Sequence, residues 1–170
     1  MFILFIFVHD QHLQAAATMP NTYILDFEAF QIGTHYFPVE IAIVNCNTYT
    51  FETFYVKHPC MKQTWNPTIC FQHHRHGLKW DSPGISYLEE VRDLICEKIL
   101  KDGDTVLVKG DQKLAYFRDE WFHMLENVKG IDIGGPVVYD ARKRRCIIHS
   151  SMSDSKRCAL QKCLTLYDLL

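Results

Sequence analysis

Apolar residues along this chain fall into short blocks separated by turn-prone stretches. Tyr23-Ile24-Leu25 is a continuous apolar run that ends in Asp26-Phe27-Glu28. A segment with Gly33 follows, and a second run, Val39–Val44, carries Glu40 near its start. Two strands joined by a loop account for this pattern. Thr50–Lys57 (TFETFYVK) is rich in β-branched and aromatic residues and predicts a third strand. Asn45-Cys46-Asn47 supplies the turn before it, so the first three strands form an antiparallel meander.

The second half of the chain changes period. After a long connection, His58–Ser82, Ser82 and Pro83 suit the N-cap and first position of a helix. Ile85, Leu88, Val91, Leu94, Ile95 and Leu100 then recur at helical spacing until Asp102-Gly103. Thr105–Val108 (TVLV) has the continuous apolar character of a buried parallel strand. A second helix is expected over Gln112–Leu125, with Leu114, Phe117, Trp121 and Leu125 facing the core. A short strand follows at Ile131–Ile133, closed by Gly134-Gly135-Pro136, and a last helix over Asp154–Leu170. This order predicts an α/β fold with a mixed five-stranded sheet, three antiparallel strands followed by two parallel ones, flanked by helices. Right-handed crossovers would place strands four and five beside strand one and make it central.

Length and composition add limits. The 170 residues fit one domain able to bury a core. No internal repeat or linker divides residues 19–170. The first 18 residues are expected to be an extension outside the fold. Their apolar run, MFILFIFV, is too short to span a bilayer, has no basic flank, and is separated by His9-Asp10-Gln11-His12 from the alanines that resemble a cleavage site. A net charge of −2 gives no global attraction to nucleic acid or membrane, so a nucleic-acid surface must be a local patch. Seven cysteines, an odd number without regular spacing, suit reduced thiols in the cytoplasm or nucleus.

Four groups of residues carry candidate chemistry. Asp26 and Glu28 alternate along one strand, so both carboxylates point to the same face, where they repel unless a cation or proton lies between them; a charged strand end in solvent is the plain alternative. The stretch from Cys70 to Trp80 holds His73, His74 and His76 together with Phe71, Arg75, Lys79 and Trp80. Arg75, Lys79 and Trp80 can grip a single strand by charge and stacking, or the aromatics can simply anchor a loop. Cys146, His149 and Cys158 form Cys-x2-His-x8-Cys, a thiolate and imidazole set suited to tetrahedral zinc with a fourth ligand. Core cysteines and a surface histidine are the alternative there. Arg142, Lys143, Arg144, Arg145, Lys156 and Arg157 bracket that motif with positive charge, as phosphate contacts or as a solvated basic loop.

The strand order and the Asp26-Phe27-Glu28 motif followed by Val39–Val44 resemble the ribonuclease-H-like DEDD 3′–5′ exonucleases. That family uses four carboxylates to hold two divalent cations. The later motifs depart from it: Val108-Lys109-Gly110 stands in the second motif, with Leu114 at the aspartate position. Aligning the last motif on Ala159 puts Arg157 at its histidine and Lys162 at its aspartate, an ammonium where a metal ligand belongs. The chain is more similar to the Maelstrom domain, a ribonuclease-H-like fold that replaces the catalytic set with a Glu-Cys-His-Cys zinc site. Phe37–Val44, His74-Arg75-His76-Gly77-Leu78, Cys146, His149 and Cys158-Ala159-Leu160 carry that similarity, and no HMG-box segment precedes them. The resemblance implies structural zinc on Glu40, Cys146, His149 and Cys158, with Glu28 as the rival fourth ligand. It also implies binding of single-stranded RNA, protein partners of a small-RNA pathway, and weak or no canonical nuclease activity, with metal-independent RNA cleavage as an alternative.

Three functions therefore follow as expectations. The first is a zinc-stabilised module that binds single-stranded RNA or DNA. The second is a magnesium- or manganese-dependent exonuclease with Asp26 and Glu28 as catalytic residues and Asp104, Asp111 or Asp132 as partners. The third is a protein–protein adaptor on an inactive nuclease fold. None involves a membrane.

Overall fold

A computed structural model of the chain describes residues 19–58, 68, 70–72, 77–78, 86–125, 127–135 and 158–170. Six strands form one mixed sheet in the order β4-β3-β2-β1-β5-β6. They are β1 (Thr22–Ile32), β2 (His35–Asn45), β3 (Thr50–Lys57), β4 (Ser86–Tyr87), β5 (Thr105–Val108) and β6 (Lys129–Asp132). The meander β1–β3 is antiparallel, β5 runs parallel to β1, and β6 runs parallel to β5. The central place of β1, between meander and parallel strands, is the arrangement expected from the crossovers.

Two details differ from the expectation. Among the described residues the sheet has six strands rather than five, because Ser86–Tyr87 pairs in parallel with Val56–Lys57. Two residues are too few to leave a periodic signal. The same pairing moves the helix start: α1 covers Leu88–Leu94, and Glu90 Oε2 accepts a hydrogen bond from the Tyr87 amide at 3.0 Å. The proposed start at Ser82-Pro83 lies outside the described residues. A π-helical turn, Ile95–Ile99, continues α1 and closes with the Leu100 amide donating to Ile95 O at 2.9 Å. This i→i+5 turn shifts the apolar stripe. Ile95 and Leu100 are buried as expected, while Leu94, expected in the core, is exposed.

The second helix, α2, is Asp111–Glu120, followed by a 3-10 turn at Phe122–Met124. Leu114, Phe117 and Trp121 are buried and Leu125 packs against them. The last helix, α3, is Ala159–Tyr167, with Cys158 at its N-cap; the expected first turn at residues 154–157 lies outside the described residues. The two faces of the sheet have different covers. Tyr23, Leu25, Phe27, Ile41 and Ile43 form a core with α1 and α2. Ile24, Ala42 and Val44 pack under α3 through Ala159, Cys163 and Leu166. Side chains alternate along strands, so Asp26, Glu28 and Glu40 share the face beneath α3.

Candidate functional site

The register of β1 and β2 sets Glu28 directly opposite Glu40, and Asp26 opposite Ala42. All three carboxylates are buried: Asp26 is 1%, Glu28 7% and Glu40 0% exposed. Like charges facing each other across a sheet are unfavourable, and buried carboxylates need counter-charge or hydrogen bonds. Each receives its compensation from a helix.

Lys113 of α2 pairs with Asp26 Oδ1 and also donates to Phe27 O at 2.6 Å. Its ammonium lies 4.8 Å from the centre of the Phe27 ring. β5 pairs with β1 from Thr22 to Ile24; among the described residues no strand lies beside that flank of β1 beyond Ile24, and Lys113 reaches Asp26 there. Lys162 of α3 pairs with Glu28 Oε1 and stands 3.9 Å from Asp26 Oδ2. Those two carboxylate oxygens are held by charge rather than by aligned hydrogen bonds. Burial pushes the Glu28 carboxyl above the usual carboxylate range; Lys162 and Lys113 pull it back down and Asp26 pushes it up again.

Glu40 has a different environment. Its Oε2 accepts the Ala159 amide at the start of α3 at 2.9 Å. Its Oε1 lies 3.1 Å from the Tyr55 hydroxyl, which donates to it, and 3.4 Å from Cys158 Sγ. The helix N-terminus favours negative charge here. By contrast, Cys163, one and a half turns further along α3, is wholly buried against Ala42 O at 3.5 Å, and burial raises its thiol well above the ordinary value. It is a core thiol.

Beside this cluster opens a cleft of about 300 Å³, lined by Glu28, Tyr36, Gln72, Lys109, Asp111, Lys113 and Lys162 among others. Gln72 Oε1 accepts the Gln31 amide at 2.9 Å, and Tyr36 donates to Gln112 at 3.0 Å. Of the suggested acidic partners of Asp26 and Glu28, Asp111 lines the cleft and accepts the Gln112 amide at 2.8 Å. Asp132 is taken up by the Gly110 amide at 2.7 Å. Asp104 is buried at the start of β5, where it accepts the Asn21 and Lys101 amides at 2.7 and 2.9 Å. Asp104 and Asp132 hold chain segments together rather than facing the cleft.

The sequence-derived zinc set is described in part. Cys158 Sγ donates to Glu40 Oε1 at 3.4 Å, whereas Cys146 and His149 lie outside the described residues. So do Arg75, Lys79, Trp80, Arg142, Lys143, Arg144, Arg145, Lys156 and Arg157. Among the described residues no three His, Cys, Asp or Glu side chains form a metal cluster. The 3.4 Å between Cys158 Sγ and Glu40 Oε1 is that of a thiol-to-carboxylate hydrogen bond, and it is also close to the roughly 3.5 Å that two ligands of one tetrahedral zinc would have, with bonds of about 2.3 Å to sulfur and 2.0 Å to oxygen. A divalent pair on Asp26 and Glu28 fits less well, because two ammonium groups already neutralise them.

Lys113 carries no signal in the sequence for its role at Asp26. Leu114 occupies the motif position, and nothing in helical spacing shows that its neighbour reaches back over β1. Tyr55 was missed for a similar reason; only the β2–β3 register, which pairs it with Glu40, brings it to the site. No protein-family model matches this chain, and no curated protein matches it.

Proposed function

We propose that this chain is a ribonuclease-H-like module that binds single-stranded RNA, resembles the Maelstrom domain, and has exchanged metal-dependent nuclease chemistry for structural stabilisation. The observation that carries this reading is the pairing of Lys113 and Lys162, from two different helices, with Asp26 and Glu28. Two-metal phosphodiester cleavage needs anionic oxygens free to bind two cations. Here the same oxygens face ammonium groups fixed on the scaffold, in a buried setting where separating a pair costs several kcal/mol. Divalent cations would have to displace both.

The strand order and the fit of Glu40 with Cys158 support the zinc reading. Glu40, Cys146, His149 and Cys158 would hold the ion, which would supply a structural cross-link between β2, the N-terminus of α3 and the segment carrying Cys146 and His149. With four protein ligands it would leave no open position for activating water. Lys109 at the cleft rim and the basic clusters at residues 142–145 and 156–157 are the proposed phosphate contacts.

The test is binding of a labelled single-stranded RNA by the full chain over a salt series, with cleavage followed in magnesium, in manganese and in EDTA. Binding that weakens steeply with salt, without metal-stimulated cleavage, supports the reading. Cleavage that requires magnesium and is lost in Asp26→Ala establishes the exonuclease reading instead. No RNA binding at physiological salt leaves the fold to a protein-adaptor role.

A further inference from the structure

The sheet face that carries the core with α1 and α2 does not stay apolar along its length. Pairing puts Tyr23, Asn45 and Thr50 in one row across β1, β2 and β3, and Glu52 beside Ile43 in the next row. Tyr23 and Ile43 belong to that core, so Asn45, Thr50 and Glu52 leave the sheet on the same side. Where the helix ends, these polar residues line a pocket of about 340 Å³. It lies on the opposite face from Asp26, Glu28 and Glu40. Lys98, in the π-helical turn, and Lys101, just after it, line the pocket from the helix side. That side is fixed in place. The Tyr23 hydroxyl donates to Ile99 O at 3.2 Å and ties the π-helical turn to β1. The buried Asp104 accepts the amides of Lys101 and Asn21 at 2.9 and 2.7 Å.

We infer that this pocket binds a phosphorylated nucleoside, either free or as one unit of a single strand, an inference that rests on neither the zinc nor the RNA reading above. Lys98, Lys101 and Glu52 are exposed, and among the described residues none of the three has an ion-pair partner. Two ammonium groups are therefore available for a phosphate, which they hold by charge-assisted hydrogen bonds. Glu52, from β3, only accepts hydrogen bonds when ionised. It repels a bare anion and favours a ligand that carries hydroxyl or amino donors as well as negative charge. Phe51, half exposed, lines the same pocket, and an aromatic face can stack on a base of any kind. Phosphate, donors and a flat ring together describe a nucleotide. Because the lysine-bearing segment is already pinned to β1 and Asp104, less ordering has to accompany binding.

The experiment titrates the full chain by calorimetry with the adenosine, guanosine, cytidine and uridine monophosphates, with inorganic phosphate, and with a short single-stranded RNA. Each is repeated on the double variant Lys98→Gln, Lys101→Gln, on Glu52→Ala, and on Lys129→Gln, an exposed lysine of β6 outside the pocket. The wild type is expected to bind at least one monophosphate at a single site, more tightly than inorganic phosphate. The double variant is expected to lose about tenfold in affinity, and Lys129→Gln to lose none. Glu52→Ala should weaken the monophosphate and tighten inorganic phosphate. Lys98 also suits the C-terminal end of a helix, where positive charge is favourable, so urea midpoints are measured on the same variants; an unchanged midpoint assigns the loss to the ligand. Tighter binding of the RNA than of any monophosphate, weakened in the same double variant, assigns the nucleotide to a strand, and the reverse order assigns it to a free nucleotide. No saturable binding to the wild type, or equal affinity in the wild type and the double variant, overturns the inference. Inorganic phosphate bound as tightly as every monophosphate overturns it too, since the pocket would then read charge alone.

Discussion

Glu28 and Glu40 face each other across β1 and β2, and one end of a single helix compensates both. The Ala159 amide and Cys158 meet Glu40, while Lys162, one turn further along α3, meets Glu28. The start of α3 is therefore held to two strands at once, to one by hydrogen bonds and to the other by charge. That arrangement explains how three carboxylates can be buried on one face without metal at Asp26 and Glu28.

Removing the cation from this arrangement should be costly. In Lys162→Met, Glu28 keeps its burial and loses its nearest counter-charge. Breaking a buried pair in this way typically costs about 3–5 kcal/mol, and urea denaturation at pH 8 should show a loss of that order. The pH dependence has a definite sign. The Glu28 pKa is already raised by burial, and losing Lys162 raises it further. A raised acid binds its proton more tightly folded than unfolded, so its stabilising contribution is present below the unfolded value and is lost as pH rises through the folded one. Lys162→Met should therefore recover stability at pH 5 relative to pH 8. A deficit that does not change between these pH values would sink the assignment of Lys162 as the counter-ion of Glu28.

Glu40 makes a contrasting case. Glu40→Ala removes the acceptor of the Ala159 amide and of the Tyr55 hydroxyl, and a buried amide left unsatisfied costs about 1–3 kcal/mol. Glu40→Gln keeps an oxygen acceptor and should fold with a smaller loss; on the proposed zinc reading it should also bind zinc far more weakly, because an amide is a poor zinc ligand. Thermal melts alongside zinc content separate the two effects. Equal zinc content in Glu40→Gln and wild type would remove Glu40 from the ligand set.

Much of this fold was legible because its signals are local. The apolar runs of β1, β2, β3 and β5 and the helical spacing of Leu114, Phe117 and Trp121 each survive in a short window of sequence. Alternation alone placed Asp26 and Glu28 on one face. What remained hidden depends on tertiary contact. Ser86–Tyr87 is a strand only because β3 lies beside it, and Leu94 turns outward beside the buried Val91 and Ile95. Lys113 acts on Asp26 along the flank of β1 that β5 does not pair with, a consequence of the short β1–β5 pairing. For Glu40 and Cys158 only a family resemblance suggested a meeting, and their hydrogen-bond partners come from register.

Gly130 of β6 reports on packing between the sheet and α2. A Cβ there would meet Leu114 Cδ1 at 2.7 Å and Phe122 Cε2 at 3.2 Å. Both neighbours belong to the main core, where added volume forces side chains off their preferred positions. Gly130→Ala should destabilise by about 1–3 kcal/mol, measured as a lower urea midpoint with an unchanged slope. A neutral or stabilising effect would mean that Leu114 and Phe122 shift freely, contrary to the tight packing of α2 on β6.

His58 provides a second pH signature, opposite in direction to that of Glu28. Its Nε2 lies 2.6 Å from Pro38 O, so the neutral ring donates its Nε2 proton to that carbonyl. Burial lowers its pKa, with the Pro38 contact and Glu89 opposing the shift. A lowered base binds its proton less tightly folded than unfolded. The folded state is then favoured above the unfolded value near 6.5 and loses stability as pH falls from there toward the folded value. NMR titration of the ring should give a midpoint below that of a model histidine. In His58→Gln, which keeps an N–H donor but cannot titrate, this component of acid destabilisation should disappear. A ring that titrates at or above 6.5 would show that the Pro38 contact outweighs burial, and would reverse the predicted slope.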